Sequence, residues 1–156
     1  MSEPEFRERR EQMLLRLLLR MTQSMTNETV ARMNARGIEG MQPAYPRLLG
    51  NLDTDGTRLS ALAKRMGVTR QATAQLTAEI EKNGFVGRRP DPDDGRGIIV
   101  FFTVKGREAL ATAVEVMTGI EADYAKVIGG GGMAEVKRLL KAILDHADRP
   151  GEFGMD

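Results

Sequence analysis

The chain has 156 residues, of which 41% are apolar and 29% charged, with a formal net charge of +1; it holds no cysteine and one histidine, His146. This composition suits a soluble protein of one domain, and it excludes disulfides, cysteine-held zinc or iron–sulfur centres, thiol catalysis and a histidine-rich metal site. The net charge says little about partners, but between Arg58 and Arg96 eight Arg or Lys stand against five acids, a local positive excess of the kind that suits a polyanion.

From Glu5 to about Arg36 the pattern reads as one long helix, with Leu14, Leu17 or Leu18, Met21 and Met25 recurring at spacings of three or four and Met33 two turns farther on. Its leucine run is broken by Arg16 and closed by Arg20, well short of the roughly 20 residues that a membrane span needs. Glu3, Glu5, Glu8 and Glu11 precede the run, unlike the positive start of a secretory signal. No membrane is expected, and the reading is cytoplasmic. So wide an apolar stripe on a helix this near a terminus calls for a second surface, supplied by the C-terminal helices or by another subunit.

Gly37, Gly40, Pro43 and Pro46 punctuate the next segment, where a short helix from about Pro43 to Asn51 carries Tyr45, Leu48 and Leu49. Asp53–Gly56 reads as a turn. The next helix, Leu59–Met66, turns Leu59, Leu62, Ala63 and Met66 inward and ends at Gly67. A second helix extends from Thr69, a good N-cap residue, to Asn83, with Gly84 at the left-handed C-cap position. Phe85–Arg89 and Ile98–Thr103 are predicted as two strands joined by a polar loop over 90–97. A long helix from Thr103 or Lys105 to about Ile128 carries Leu110, Ala113, Val114, Met117, Ile120, Tyr124 and Val127 as its stripe. After Gly129–Gly132, a joint between helices, the last helix runs from Met133 to His146. Val136, Leu139, Leu140, Ile143 and Leu144 are read as its inward side, and 148–156 as a loose tail.

The order is mainly α: a helix–turn–helix core with a two-stranded wing over 57–103, flanked by helices over 5–36 and 105–147, the whole of 1–147 forming one domain. On the helix 69–83, successive residues turn by about 100°; Ala72, Thr73, Leu76, Ile80 and Asn83 then share an inward side. The opposite side carries Arg70, Gln71, Ala74, Gln75 and Ala78, with Thr69 at its start. Such a face suits a DNA major groove: Arg pairs with guanine, Gln with adenine, and alanine permits close approach. The same residues are also ordinary helix formers on a solvated surface. Thr57, Arg58 and Ser60, with Arg88 and Arg89, read as phosphate or flanking contacts. Arg96, in the stiff loop, suits a narrow minor groove, and Asp94 a structural role in holding that loop. No nucleophile–base pair, metal set or cofactor motif is found, so the chain is read as a non-enzyme without metal or cofactor.

The stretch Leu59–Thr73, then Ile80–Val86, then Arg89-Pro90-Asp91-Pro92-Asp93-Asp94-Gly95-Arg96 and Phe102-Thr103-Val104-Lys105-Gly106 resembles the MarR (multiple antibiotic resistance regulator) family. The resemblance covers about 57–106, and the Asp-Pro-x-Asp-x-Arg wing followed by Thr-x-x-Gly carries it. It implies a transcriptional regulator, usually a repressor, that binds double-stranded DNA as a homodimer through interlocked terminal helices. It also implies a small aromatic or phenolic effector, for which Met33, Met41, Tyr45 and Met117 are the expected pocket lining. The competing reading is a winged-helix dimer that serves as a protein-interaction module with little DNA affinity.

Overall fold

In the computed structural model, which describes residues 1–147, the elements run α1 (Glu3–Glu11), α2 (Leu14–Ala35), α3 (Tyr45–Leu49), β1 (Thr57–Arg58), α4 (Leu59–Met66), α5 (Arg70–Lys82), β2 (Val86–Asp91), β3 (Asp94–Phe102), α6 (Val104–Ile128) and α7 (Gly132–Ala147). The mainly helical winged helix–turn–helix expected from the sequence is the fold observed. The tail expected to be loose over 148–156 lies outside the described residues. Contacts group the chain into two compact units, Met1–Met117 and the part from Thr118 onward.

In the first unit the predicted long N-terminal helix is two helices. Gln12 closes α1 by donating its N–H to Glu8 and Arg10 carbonyls, and Met13 is extended at φ −64°, ψ 133°. Arg16 and Arg20 of α2 reach back to the Glu11 carboxylate at 2.6 and 3.4 Å, bridging the break. No glycine or proline marks the site, so the apolar period runs through it unbroken.

Helices α4 and α5 hold as predicted at their ends. Gly67 caps α4 in the left-handed region, and the Thr69 hydroxyl accepts the Ala72 N–H at 3.1 Å to start α5. Leu59, Leu62, Ala63 and Met66 are all buried. The buried side of α5, however, is Thr73, Thr77 and Ile80, rotated from the expected one: Ala72 is exposed and Leu76 half-buried. The two threonines can be buried because each hydroxyl donates to a carbonyl four residues back, Thr73 to Thr69 at 3.0 Å and Thr77 to Thr73 at 2.7 Å.

The sheet has three strands, ordered β1-β3-β2 and antiparallel throughout, because Thr57 and Arg58 pair with Val100 and Ile99. This third strand of two residues is too short for any pattern to register. The wing hairpin is also longer than predicted, since strand pairing extends from Val86↔Phe102 through Pro90↔Ile98 to Asp91↔Asp94. Pro90 is tolerated because β2 lies at the sheet edge, where its missing N–H breaks no inner ladder.

Residues 80–106 form the corner of this unit. The Phe85 N–H donates to the Ile80 carbonyl at 3.2 Å, and the Thr103 hydroxyl donates to Gly84 at 2.5 Å while accepting the Gly106 N–H at 3.0 Å. Lys105 Nζ donates to the carbonyls of Asn83 (2.9 Å) and Glu39 (3.2 Å) and lies 4.3 Å over the Phe85 ring. A Cβ at position 106 would overlap the Phe85 carbonyl oxygen. Tyr45 of α3 completes the corner: it is 1% exposed, edge-on to Phe85, donates to Glu79 at 2.9 Å and accepts from Asn83 at 2.8 Å.

The buried side of α6 departs from prediction: Ala109, Val116 and Ile120 are buried, whereas Val114 and Val127 of the predicted stripe are 54% and 83% exposed. In the second unit Gly129 ends α6 in the left-handed region, and the Gly132 N–H returns to its carbonyl at 3.0 Å. Lys137 pairs with Glu121. No residue of α7 is buried. The expected inward side, Val136, Leu139, Ile143 and Leu144, lies open in the single chain, and Leu140 is half-buried.

The corner can be tested at two positions. Gly106→Ala must push α6 off Phe85, so urea unfolding should show a loss of about 2–3 kcal/mol; an unchanged midpoint would mean that the approach is not tight. Tyr45→Phe removes one bond each from Glu79 and Asn83 and should cost about 1–2 kcal/mol at neutral pH. Burial, then the bond to Glu79, pushes the Tyr45 hydroxyl up to about 12, whereas an unfolded tyrosine ionises near about 10. The folded chain thus keeps a proton that the unfolded chain releases, and the wild type should lose its advantage over Tyr45→Phe as pH rises from about 10 toward 12.

Candidate nucleic-acid interface

Burying Thr73, Thr77 and Ile80 leaves the other side of α5 to solvent. Thr69, Arg70, Gln71, Gln75 and Ala78 are exposed, and Ala74 is half-buried. The expected outward face is therefore present, with Ala74 at its margin and Ala72 added by the rotation. Nothing acidic stands in the first turn of α5, so its free amides and positive dipole end are uncancelled.

The wing collects a second set. A groove of about 480 Å³ is lined by Arg88, Arg89, Arg96, Pro90, Ile98 and Glu81 among others. The Asp94 carboxylate accepts the Arg96 N–H at 3.1 Å, which is the kind of structural contact expected of Asp94. Residues 95–97 have no partners on β2, because the pairing steps from Pro90↔Ile98 to Asp91↔Asp94. Arg96 thus stands on a short protruding arc.

The positive charges divide into two classes. Arg88 is held by Glu81 at 2.6 Å, Arg65 by Asp53 at 2.9 Å and Arg58 by Asp91 at 2.5 Å. The Arg65 bond, more than its charge, holds the Asp53 carboxyl below its ordinary range. Arg89 lies 5.5 Å over the Phe101 ring and donates to the Asp55 carbonyl at 3.4 Å. Among the described residues, Arg70 and Arg96 have no carboxylate partner, and neither do Lys64, Lys82 and Arg89. A cation with no internal partner is the kind that can meet a phosphate or a base without first breaking a bond.

Some expected site residues lie elsewhere. Thr57 is buried, its hydroxyl donating to Asp53 Oδ2 and accepting the Asp53 N–H, both at 2.9 Å; it is therefore not the phosphate contact expected of it. Ser60 is exposed at the start of α4. Arg58 is committed to the wing. Asp91, which is not among the expected site residues, is buried; its place beside a proline in an acidic loop makes it look solvated.

A cavity of about 130 Å³ lies in the first unit, and Met33, Met41 and Met117 line it together with Pro46, Phe102 and Ala113. Tyr45 does not: its ring packs on Phe85 and its hydroxyl is used by Glu79 and Asn83. Its aromaticity suggests a lining residue, but the partners 34 and 38 residues away that claim it leave no local signal.

Comparison with known proteins places this geometry. Over 104 residues, 67% of the chain and 77% of the relative, it is 24% identical to the transcriptional regulator HosA of Escherichia coli O111:H-. Among solved structures it resembles Sco3205, a MarR family transcriptional regulator from Streptomyces coelicolor in complex with DNA, with a TM-score of 0.65 and 21% identity, covering 100% of this chain and 95% of that one. It also resembles NadR in complex with 4-hydroxyphenylacetate, with a TM-score of 0.67 and 17% identity over 88% and 91% of the two chains. The MarR family model matches residues 39–97. This segment holds the helix–turn–helix and the wing as far as Gly97, and over it the chain is similar to the MarR family.

Proposed function

We propose that the chain is a homodimeric transcriptional regulator, acting in the cytoplasm as a repressor on near-palindromic double-stranded DNA. The observation that carries this reading is the pairing of an exposed α5 face, whose first turn holds no acid, with Arg70 and Arg96 lacking internal carboxylate partners. Two copies would set two α5 helices into successive major grooves about 34–36 Å apart, with the wings reaching the flanking minor grooves. Phosphate contacts supply most of the affinity and make it salt-dependent, while the side chains of 70–78 select the sequence. The solved DNA complex of Sco3205 supports this reading through its shared fold.

Second copies are called for by the apolar surface left open. Leu14, Leu15, Leu17 and Leu19 of α2 are 49–66% exposed, and Val136, Leu139, Ile143 and Leu144 of α7 are 43–58% exposed. Rows of this kind on a soluble chain mark association surfaces.

A small aromatic or phenolic effector is part of the proposal. The cavity of about 130 Å³ approaches the size that holds a single benzene ring, and no charged residue lines it. A phenol or a ring whose carboxylate points outward suits it better than a buried anion. Pro46, Leu49 and Gly50 of the cavity wall belong to the same short segment as Tyr45, which bonds to α5. A ligand that favours one placement of α3 would thereby bias the placement of α5, a shift of populations.

On a duplex selected from fragments of the source genome, Arg96→Ala should weaken binding to that duplex and to an unrelated one by similar factors. Gln71→Ala should narrow the gap between the two. Titrations of both duplexes decide this; unchanged affinities in both variants would end the assignment. Sedimentation should show a dimer that Leu15→Asp or Ile143→Asp converts to monomer at micromolar concentration, and a monomeric wild type would refute the dimer.

A further inference from the structure

At the base of the wing one carboxylate is buried where the sequence promises a solvated loop. The Asp91 side chain is 1% exposed, with Oδ2 2.5 Å from Arg58 Nε and Oδ1 accepting the Asp93 N–H at 3.0 Å. The Arg58 approach is a charge contact off the line of a hydrogen bond, since Oδ2 has no hydrogen-bonded partner. Arg58 Nη2 also lies 4.0 Å from the exposed Asp93 carboxylate. A buried carboxylate left without its counter-charge is strongly unfavourable, so Asp91 holds Arg58 and Arg58 holds Asp91.

The place of this pair gives it consequence. Asp91 ends β2, immediately before the turn, and Gly97 is fitted around it: a Cβ at position 97 would lie 2.8 Å from Asp91 Cβ. Gly97 follows Arg96 in the arc that has no strand partners. Arg58 pairs with Ile99 in the sheet and directly precedes Leu59, the first residue of α4. The pair therefore ties the base of the wing arc to the junction of sheet and helix–turn–helix.

We infer that Arg58 and Asp91 are positioning residues for DNA binding, which set where Arg96 stands relative to α4 and α5, and that Arg58 does not itself take a phosphate. The inference rests on the DNA-binding reading above. It makes a prediction opposite in sign to simple electrostatics. Asp91→Asn removes a negative charge from a surface that faces a polyanion, which by itself tightens binding. As a positioning change it weakens binding, because an amide turns one of its two atoms into a donor, facing either the Arg58 N–H or the Asp93 N–H.

The test measures binding of one selected duplex by the wild type, Asp91→Asn, Arg58→Met, Arg96→Ala and the doubles with Arg96→Ala. Amide hydrogen exchange over 91–97 is followed alongside in the free proteins. Asp91→Asn and Arg58→Met are each expected to weaken binding by about tenfold, the size of one lost charge-assisted contact, and to add nothing in the Arg96→Ala background. Exchange at 93–97 should quicken in both while the amides of α4 and α5 stay protected. Gly97→Ala, which crowds Asp91 without altering either partner, should behave like Asp91→Asn, and stands in for any variant that fails to fold. Equal or tighter binding by Asp91→Asn overturns the inference. So does additivity of Arg58→Met with Arg96→Ala together with a shallower salt dependence, which would make Arg58 a phosphate contact. A wild type that binds no duplex refutes the DNA reading; unchanged wing exchange in the variants refutes the positioning role by itself.

Discussion

In the first unit, the directions of α5, β2 and α6 depend on how tightly the start of α6 meets the end of α5. A helix end leaves carbonyls without partners, and here residues 103–106 help to supply them, with Thr103 taking Gly84 and Lys105 taking Asn83. The approach is so close that only glycine fits at position 106, against the Phe85 carbonyl. This one contact fixes three directions together: the exit of α5, the entry of β2 and the start of α6. The Thr-x-x-Gly pattern of the sequence thus has a mechanical meaning. Its threonine supplies a donor and an acceptor, and its glycine supplies the absence of a side chain.

With the exit of α5 fixed, its charges divide accordingly. Arginines on the surrounding elements are consumed by neighbours: Arg88 by Glu81, Arg65 by Asp53, Arg58 by Asp91. Exposed pairs such as Arg65–Asp53 contribute little stability; what they do is keep those cations directed along the protein. Arg70 and Arg96 stand apart from this pairing, one at the start of α5 and one on the wing arc. A count of local charge weighs all eight basic residues alike, whereas the folded chain ties Arg58, Arg65 and Arg88 to carboxylates.

Much of the fold is legible in the sequence because it is written in punctuation. Thr69 and Gly84 bracket α5, Gly67 ends α4, and all of the predicted strand 98–103 but Thr103 sits in β3. The features that escape have physical causes. The break at Gln12–Met13 carries no breaker residue and is bridged by ion pairs from Arg16 and Arg20 to Glu11. The full buried side of α5 is hidden because Thr77 looks polar, yet its hydroxyl, like that of Thr73, is satisfied on its own helix. The wing looks like a loop because Pro90 and the aspartates suggest one, although an edge strand accepts a proline.

The candidate site is legible where function needs exposure and obscure where it needs long-range partners. Arg70, Gln71, Gln75 and Arg96 can be read from helical phase and loop position alone. Asp91, Tyr45 and Thr57 cannot, because their partners come from other elements or lie beneath the surface. The same limit governs α7. Its period correctly identifies one apolar row, Val136, Leu139, Ile143 and Leu144, but that row is open to solvent in the single chain. Periodicity reports that a face avoids water; it carries no information about which body covers it. An apolar stripe near a terminus therefore has two physical solutions, a core or a second chain. The exposure of this row, like that of the α2 leucines, is what the proposed dimer would cover.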